Sequence, residues 1–270
     1  MSVQQAGAPV AEVLADRRWL VLTGAGVSTD SGIPDYRGAG APVRTPMTIA
    51  RFRSGHAAQQ RYWARSFLGW SSMGTARPNA THRILAGLEA EGRLSGLITQ
   101  NVDGLHTAAG HRDLVELHGR IDQVVCLDCG DRSSRAALQQ RLTALNRGFS
   151  PSHVRVLPDG DVELDATAGF VVAACEACGG ALKPDVVFFG ENVPADRVAH
   201  CAGLVEQAEA VVVLGSSLHV FSGRRFVKQA HARGIPVVIV NRGPTRADPL
   251  AQVKVDGGCA ETLAAWLSVL

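Results

Sequence analysis

Four of the six cysteines in the sequence form two Cys-x-x-Cys pairs, which lie 45 residues apart, counted from Gly130 to Ala174. Four thiolates on two such knuckles are the typical ligands of a tetrahedral Zn²⁺ ion, and a four-cysteine site leaves no coordination position open for a substrate. A redox pair is the alternative, but disulfides are rare in cytosolic proteins. The spacing therefore predicts one structural zinc ion, with the ligands Cys126, Cys129, Cys175 and Cys178.

A glycine-rich turn follows the apolar run Trp19–Thr23 and reads Gly24-Ala25-Gly26-Val27-Ser28. A strand that runs into Gly-x-Gly allows the backbone to approach a pyrophosphate at a helix N-terminus. A plain tight turn is the alternative. Thr29 stands where a dehydrogenase has its third glycine. The sequence also has no acidic residue between Tyr36 and Leu88, where a dehydrogenase has the carboxylate that binds the ribose. The pattern indicates a dinucleotide site and favours a use of the dinucleotide other than hydride transfer.

His118 is a candidate general base, because an imidazole with an ordinary pKa of about 6.5 exchanges protons near neutral pH. It follows the strand-like run Val115-Glu116-Leu117. Active sites of α/β proteins collect at the ends of their strands. A structural histidine is the commoner alternative when no other feature surrounds the residue.

Composition limits the class of protein. The 270 residues are 46% hydrophobic and 19% charged, with a formal net charge of +2. These values predict a folded core and argue against direct nucleic-acid binding. We expect no membrane span, since no apolar run approaches about 18 residues, and no secretory signal is visible at the start of the sequence. We therefore predict a cytoplasmic protein, and because only three of the 27 basic residues are lysine, a bacterial source.

Apolar runs without alternation are typical of strands buried on both faces of a parallel sheet. Four such runs are Trp19–Thr23, Leu94–Thr99, Ala210–Leu214 and Pro236–Val240. Amphipathic helical patterns at Thr81–Gly92 and Ala195–Glu209 lie between them. This alternation predicts an α/β fold with a doubly wound, parallel, Rossmann-like sheet.

Two stretches interrupt the alternation, and we interpret them as inserts in one parent domain. The predicted Rossmann-like, dinucleotide-binding domain comprises residues 1–41, 79–125 and 182–270. Residues 42–78 form a predicted helical insert or cofactor loop, and residues 126–181 a small zinc-binding module. An ordered segment such as Arg135–Asn146 is expected to fill the interval between the cysteine pairs.

Six blocks of the sequence together resemble the sirtuins, and they occur in the order found in that family. They are Gly24–Gly38, Thr99–His106, His118-Gly119, Lys183–Glu191, Gly215–Leu218 and Asn241–Thr245. The phrase Arg61–Arg65 and the long interval between the cysteine pairs are similar to the class II branch, which contains the mitochondrial lipoamidase sirtuin of animals.

The resemblance implies an NAD-dependent protein-lysine deacylase whose partners are acylated-lysine proteins or peptides. In sirtuins the acyl oxygen attacks C1′ of the nicotinamide ribose and nicotinamide leaves. A base then activates a ribose hydroxyl, and the products are free lysine and O-acyl-ADP-ribose. His118 matches the family's base.

The resemblance also implies residues that contact NAD. They are Gly24, Ala25, Gly26, Ser28, Thr29, Pro34, Asp35, Tyr36, Arg37, Gln100, Asn101, Val102, Asp103, His118, Gly215, Ser216, Ser217, Asn241, Arg242, Gly243 and Cys259. Cys259 would contact adenine through its backbone, and Cys201 is expected in the core.

A second implied set binds the substrate. The segment Val187, Phe188, Phe189, Gly190 and Glu191 resembles the part of sirtuins that pairs with the substrate peptide by β-augmentation. An ordinary core strand is the alternative for this segment.

Eight arginines and no acidic residue occur between Tyr36 and Leu88. A solvated helical face is one interpretation. Alternatively, Tyr62 and Arg65 have the Tyr-x-x-Arg spacing of sirtuins that bind acidic acyl groups, and arginine can bind a carboxylate bidentately. We therefore hypothesise a preference for a carboxylated or longer acyl chain over acetyl. Lipoyl or biotinyl amides are the competing choice.

Three other functions remain open at this point. Mono-ADP-ribosyl transfer would use the same site and would leave an ADP-ribosylated protein. A zinc-ribbon binding module with a vestigial dinucleotide fold would not need His118, Asn101 and Asp103. An NAD-dependent oxidoreductase would produce NADH, and the missing acidic ribose clamp disfavours it.

Overall fold

Two β-sheets organise the protein, whose computed structural model describes residues 1–35, 46–149, 167 and 169–267. The larger sheet has the strand order β3-β2-β1-β7-β8-β9, and the smaller sheet has the order β5-β4-β6. The strands are β1 Trp19–Thr23, β2 Leu94–Thr99, β3 Leu114–Glu116, β4 Gly119–Cys126, β5 Arg132–Ser134, β6 Leu182–Val186, β7 Ala210–Leu214, β8 Val237–Val240 and β9 Val253–Val255.

Helices connect these strands. They are α1 Gly7–Leu14, α2 Ile49–Phe52, α3 His56–Thr75, α4 Ala80–Ala90, α5 Leu105–Ala108, α6 Arg135–Leu145, α7 Ala195–Gln207, α8 Phe221–Ala232 and α9 Cys259–Leu267. Short 3-10 turns at Ala25–Val27 and Thr29–Ser31 follow β1 directly. The predicted site residues Tyr36 and Arg37 lie outside the described residues.

The larger sheet is parallel throughout and is covered by helices on both faces. Successive side chains of a strand point to opposite faces. Accordingly Trp19 and Val21 of β1 pack into a core with α1, α4 and α9, whereas Leu20 and Leu22 pack into another with α7 and α8. The prediction of a doubly wound α/β sheet is confirmed, and the four predicted strands are present.

Strand order places a crevice at the carboxyl ends of the central strands. The chain winds outward from β1 to β2 and β3 on one side, and β7, β8 and β9 continue the sheet on the other. Ligands of open α/β sheets bind at such a switch point. Asn241 follows β8, which is the last of the strands predicted from sequence, but β9 forms the actual edge of the sheet.

The smaller sheet is antiparallel and was not predicted. Its central strand β4 pairs with β5 and β6. All of β6 and all of β4 except Cys126 fall within ranges assigned to the Rossmann-like domain, so the proposed division after residue 125 cuts β4 one residue before its end and the division after residue 181 lies at the start of β6. Helix α6 packs against this sheet and occupies the interval in which an ordered segment was expected.

The described part of the predicted helical insert consists mainly of α2 and α3. Thr48 caps α2, since its hydroxyl accepts a hydrogen bond from the Arg51 N–H at 3.1 Å. The Ile49 N–H donates to the Phe189 carbonyl at 3.0 Å. The insert is thereby docked onto the segment that follows β6.

Among the described residues, no helix is both long enough and apolar enough to cross a membrane.

Candidate active site

A cavity of about 1090 Å³ opens at the carboxyl ends of β1, β2, β7 and β8. Its walls contain every described residue that was predicted to contact NAD except Pro34, which is exposed. The substrate segment Val187–Glu191 and Tyr62 also line it, whereas Arg65 does not. The structure therefore brings residues that are distant in sequence to one site.

The floor of the cavity is formed where the turn after β1 meets the turn after β7. The Gly26 N–H donates to the Gly215 carbonyl at 2.8 Å. Gly215 has φ +60°, and a Cβ at this position would lie 2.5 Å from the Val27 nitrogen. Glycine is required here by the left-handed conformation and by the close approach of two backbones.

Polar side chains after β2 tie the glycine turn to the centre of the site. Asn101 donates through Nδ2 to the Gly24 carbonyl and to the Ser28 hydroxyl, both at 3.1 Å. The Ser28 hydroxyl in turn donates to Asp103 Oδ2 at 2.6 Å. Burial raises the pKa of the Asp103 carboxyl, while the hydrogen bond from Ser28 opposes that shift. The network holds a carboxylate, an amide and a hydroxyl against the cavity.

Gln100 links the same loop to the turn after β7. Its Nε2 donates to the Ser216 hydroxyl at 2.9 Å and to the Thr23 carbonyl at 3.1 Å. Its backbone carbonyl lies 2.8 Å from His118 Nδ1. Gln100 thus fixes both the floor of the cavity and the orientation of the histidine ring.

His118 has a defined tautomer in this setting. A carbonyl oxygen can only accept, so Nδ1 carries a proton and donates it to Gln100. In the neutral ring Nε2 is then an acceptor, and it lies 2.7 Å from the Ser222 hydroxyl. Burial lowers the pKa of His118, the hydrogen bond to Gln100 raises it, and the positive charge of Arg197 lowers it further. The ring is consequently neutral near pH 7, with its basic nitrogen on the side of Ser222.

Gly119 allows the strand after His118 to approach β6. It has φ +81°, and a Cβ there would lie 2.0 Å from the Asp185 carbonyl oxygen. The His118 carbonyl accepts the Val187 N–H at 2.8 Å. The histidine is therefore fixed at the junction between the two sheets.

The segment after β6 is a shaped loop and not the core strand that was considered as an alternative. β6 ends at Val186, and the Phe188 N–H donates to Glu191 Oε2 at 2.9 Å. Lys183 donates to the same carboxylate oxygen at 3.1 Å and is almost fully buried. Phe188 is buried against Lys183 and Phe189 is 39% exposed.

Tyr62 and Arg65 lie one turn apart on α3, but they occupy different surroundings. Tyr62 is buried, contacts the rings of Phe52 and Phe188 at centroid distances of 5.4 and 5.3 Å, and lines the cavity. Arg65 is half-buried and does not line it. Within the described residues, the arginines that line the cavity are Arg225 and Arg242.

The four predicted zinc ligands form one cluster in the smaller sheet. Their sulfur atoms all lie within 4.8 Å of one another, with Cys126 and Cys178 at 3.5 Å and Cys129 and Cys175 at 3.8 Å. Tetrahedral zinc with Zn–S bonds of about 2.3 Å places its sulfur ligands roughly 3.8 Å apart. Backbone N–H groups of Cys129 and Asp128 lower the pKa of Cys126 to about 7, which favours its thiolate, whereas the hydrogen bond with the Cys129 thiol raises the pKa of Cys178.

Comparisons with known proteins agree with this geometry. The chain matches the Sir2 family over residues 24–222. That range is more than half of the chain. The chain belongs to the Sir2 family, the sirtuins.

Two bacterial relatives named NAD-dependent protein deacetylase 1 are similar over most of their length. The Mycobacterium avium protein is 54% identical over 98% of this chain and 96% of its own. The Streptomyces coelicolor protein is 56% identical over 92% of this chain and 84% of its own.

A solved structure described as Sir2 with a p53 peptide and NAD⁺ has the same fold. It is 30% identical, with a TM-score of 0.79, and the alignment covers 96% of each chain. The expected cofactors of this sirtuin are thereby confirmed as NAD and one structural zinc ion. The residues fit both groups, since the cysteine cluster has four soft ligands with no open position. The cavity is lined by the glycine turn, amides, hydroxyls and a carboxylate that suit a dinucleotide.

Cys201 is a buried thiol in this sirtuin, as expected, and Cys259 is buried as well. Burial raises the pKa of Cys259 to about 12 and that of Cys201 to about 11. A thiol with such a pKa is almost entirely protonated near pH 7 and is a poor nucleophile. Cys201 lies on the buried face of α7 and packs in the core, and Cys259 lines the cavity near Asn241 and Arg242.

Two polar residues of the sirtuin's site were missed from sequence. Asn79 precedes α4 and donates through Nδ2 to the Val27 carbonyl at 2.7 Å, which anchors the glycine turn. An asparagine before a helical pattern is an N-cap signal that could have identified it. Ser222, the partner of His118, has no comparable signal, because 104 residues separate the two in sequence.

Proposed function

We propose that this sirtuin removes acyl groups from lysine side chains of proteins in an NAD-dependent reaction in which His118 is the general base. The observation that carries the proposal is the position of His118. Its Nε2 faces a cavity that also contains the glycine turn, the Gln100–Asp103 loop and the peptide-facing loop Val187–Glu191. Relatives named protein deacetylases support the same activity.

NAD supplies an electrophilic ribose carbon when it is bound, with nicotinamide as the leaving group. The chain's residues then hold and move protons. Asn101 and Asp103 present an amide and a carboxylate that can orient a carboxamide and hydroxyl groups. His118 is neutral near pH 7 and can take a proton at Nε2, while Nδ1–H stays bonded to the Gln100 carbonyl. The imidazolium would thus keep a hydrogen bond at Nδ1.

The substrate we propose is an acyl-lysine within an extended peptide. Glu191 holds the loop after β6 by accepting from Lys183 and from the Phe188 N–H. This arrangement leaves Phe189 partly exposed at the cavity. An extended peptide can add to such a loop through main-chain hydrogen bonds, with the acyl-lysine directed inward.

Quantifying the products tests the reaction. With NAD and an acetyl-lysine peptide, we expect one nicotinamide and one O-acyl-ADP-ribose for each lysine that is freed, as measured by mass spectrometry. Release of nicotinamide with the acyl group still on lysine, accompanied by ADP-ribosylated protein, would contradict deacylation. Formation of NADH, measured by its absorbance, would indicate an oxidoreductase instead and would also contradict deacylation.

We further infer that the preferred acyl group is larger than acetyl. Tyr62 lies at the inner wall of the cavity with the apolar side chains of Ile33, Met47, Ile121 and Phe188. These residues form an apolar wall that an aliphatic chain could cover, and burial of each additional CH₂ is worth about 0.8 kcal/mol. Arg65, one turn beyond Tyr62, lies outside the cavity wall, so its side chain would have to turn towards the cavity to bind a terminal carboxylate.

A panel of acyl peptides with Arg65→Met tests this preference. We expect a longer or carboxylated chain to exceed acetyl in kcat/KM, and Arg65→Met to lower only the carboxylated rate, by about tenfold for a lost charged hydrogen bond. Arg61→Met is the matched control, because Arg61 is exposed on the same helix. The preference is wrong if acetyl-lysine is fastest and Arg65→Met changes nothing.

A further inference from the structure

Ser222 is bonded to the basic nitrogen of the proposed catalytic histidine. It is the second residue of α8, and its hydroxyl oxygen lies 2.7 Å from His118 Nε2. The opposite ring nitrogen is bonded to the Gln100 carbonyl at 2.8 Å. Both polar atoms of the ring are therefore held by protein groups, and Ser222 also lines the cavity.

The two partners of His118 differ in what they can do. The carbonyl of Gln100 only accepts a hydrogen bond, so Nδ1 keeps its proton in both charge states of the ring. A hydroxyl both donates and accepts. It can donate to Nε2 of the neutral ring and, after rotation of its own hydrogen, accept from Nε2–H of the imidazolium.

The fold leaves Ser222 little freedom to move away. The next residue, Gly223, packs so closely against Gln100 that a Cβ there would lie 2.4 Å from the Gln100 Oε1 atom. Phe226 and Val227 anchor the same helix in the core. The first turn of α8 is thus fixed against the loop that bonds the other side of the ring.

The surroundings of His118 disfavour its imidazolium form, so a hydrogen-bond acceptor at Nε2 would stabilise that form. Arg197 of α7 donates to the Leu117 carbonyl at 3.2 Å, and its charge disfavours the imidazolium, as does burial of the ring. Among the described residues, no acidic group opposes the lowering of the His118 pKa. Within the part of the chain that the structure describes, Ser222 is the side chain that can accept from Nε2–H.

We propose that Ser222 is a positioning residue for His118, holding the ring in place and accepting a hydrogen bond from Nε2 once the ring has taken a proton. Its effect on the reaction rests on the proposed function. The effect on the proton affinity of His118 does not rest on the proposed function, because it follows from the hydrogen bond between Ser222 and His118 alone. Hydrogen bonds to a charged group are roughly twice as strong as those between neutral groups. Loss of the hydroxyl therefore destabilises the imidazolium more than the neutral ring.

Ser222→Ala, Ser222→Thr and the control Ser54→Ala test the proposal. Ser54 is exposed, and its hydroxyl donates to the Arg51 carbonyl. Titration of ¹³C-labelled histidines by NMR, with His118 assigned by His118→Gln, measures the pKa directly. We expect Ser222→Ala to lower the pKa of His118 by about half a unit to one unit, the difference between a charged and a neutral hydrogen bond. Ser222→Thr retains a hydroxyl and should restore the pKa, and Ser54→Ala should leave it unchanged.

Steady-state kinetics should show a lower kcat with little change in KM. In Ser222→Ala we expect the acid limb of kcat/KM to move to lower pH and kcat at pH 7.5 to fall about tenfold, the effect of one lost hydrogen bond to a charged group. KM for the peptide should change less than about twofold, since the binding surfaces remain.

An unchanged His118 pKa in folded Ser222→Ala would overturn the proposal. A pKa lowered equally in Ser222→Thr and Ser222→Ala would also overturn it, because the hydroxyl would then not be the cause. If the wild-type protein frees no lysine, the proposed function fails, but the NMR titration still decides the role of Ser222.

Discussion

His118→Gln is expected to lower kcat for deacylation by a factor of about 10² to 10⁴, the usual contribution of a positioned general base. Glutamine can still donate to the Gln100 carbonyl, which His118 contacts through Nδ1. It cannot take a proton near neutral pH. The measurement is the rate at which lysine is freed from an acyl peptide at saturating NAD.

His56→Gln is the matched control, because His56 is exposed at the start of α3. It should retain the wild-type rate. Full activity in His118→Gln would remove the base from the mechanism. Equal thermal unfolding temperatures of the wild type and the two variants would exclude misfolding as the cause of a slow rate.

The pH dependence of the wild type follows from the same residue. Burial lowers the pKa of His118 below its ordinary 6.5, so the neutral, basic form predominates at pH 7. As the pH falls through this lowered pKa, Nε2 becomes protonated and kcat/KM should decline. An acid limb centred above pH 6.5 would contradict this assignment.

Cys175→Ala should abolish zinc binding and strongly lower the thermal stability of the protein. Cys175 is buried among the four ligands, and three thiolates leave the tetrahedral site incomplete. Metal binding to structural sites of this kind contributes about 10–16 kcal/mol in isolated zinc fingers. We expect the zinc content to fall from one ion per chain to nearly zero.

The smaller sheet should unfold first in this variant, because β4 and β6 carry cysteines or flank them. The larger sheet retains its own cores on both faces. Thermal unfolding should therefore change from one transition to two. Activity should fall more than about tenfold, because β4 begins immediately after His118 and a displacement of about 1 Å can reduce a rate a hundredfold.

Cys201→Ala provides the control, since Cys201 is a buried core cysteine of α7 and is not one of the four clustered cysteines. It should keep one zinc ion and a single transition. Retention of stoichiometric zinc in Cys175→Ala would contradict the four-cysteine site.

The sequence by itself identified the parts of this sirtuin that are encoded locally. Cys-x-x-Cys knuckles, the glycine turn after an apolar run, and the buried strands β1, β2, β7 and β8 depend on neighbours within a few residues. Such patterns can therefore be recognised in the sequence without knowledge of the tertiary fold. The parallel sheet followed from the same patterns, because β-α alternation leaves few ways to wind the chain.

Tertiary structure alone decided which distant side chains meet. Ser222 reaches His118 across 104 residues of sequence, and Lys183 and Glu191 bend the segment after β6 into a loop that its composition does not reveal. The smaller antiparallel sheet depends on the pairing of β4 with β6, and the separation of Tyr62 from Arg65 depends on how α3 packs. The physical reason is that a hydrogen bond or a packing contact requires two surfaces to be positioned by the whole fold, and no local pattern records that position.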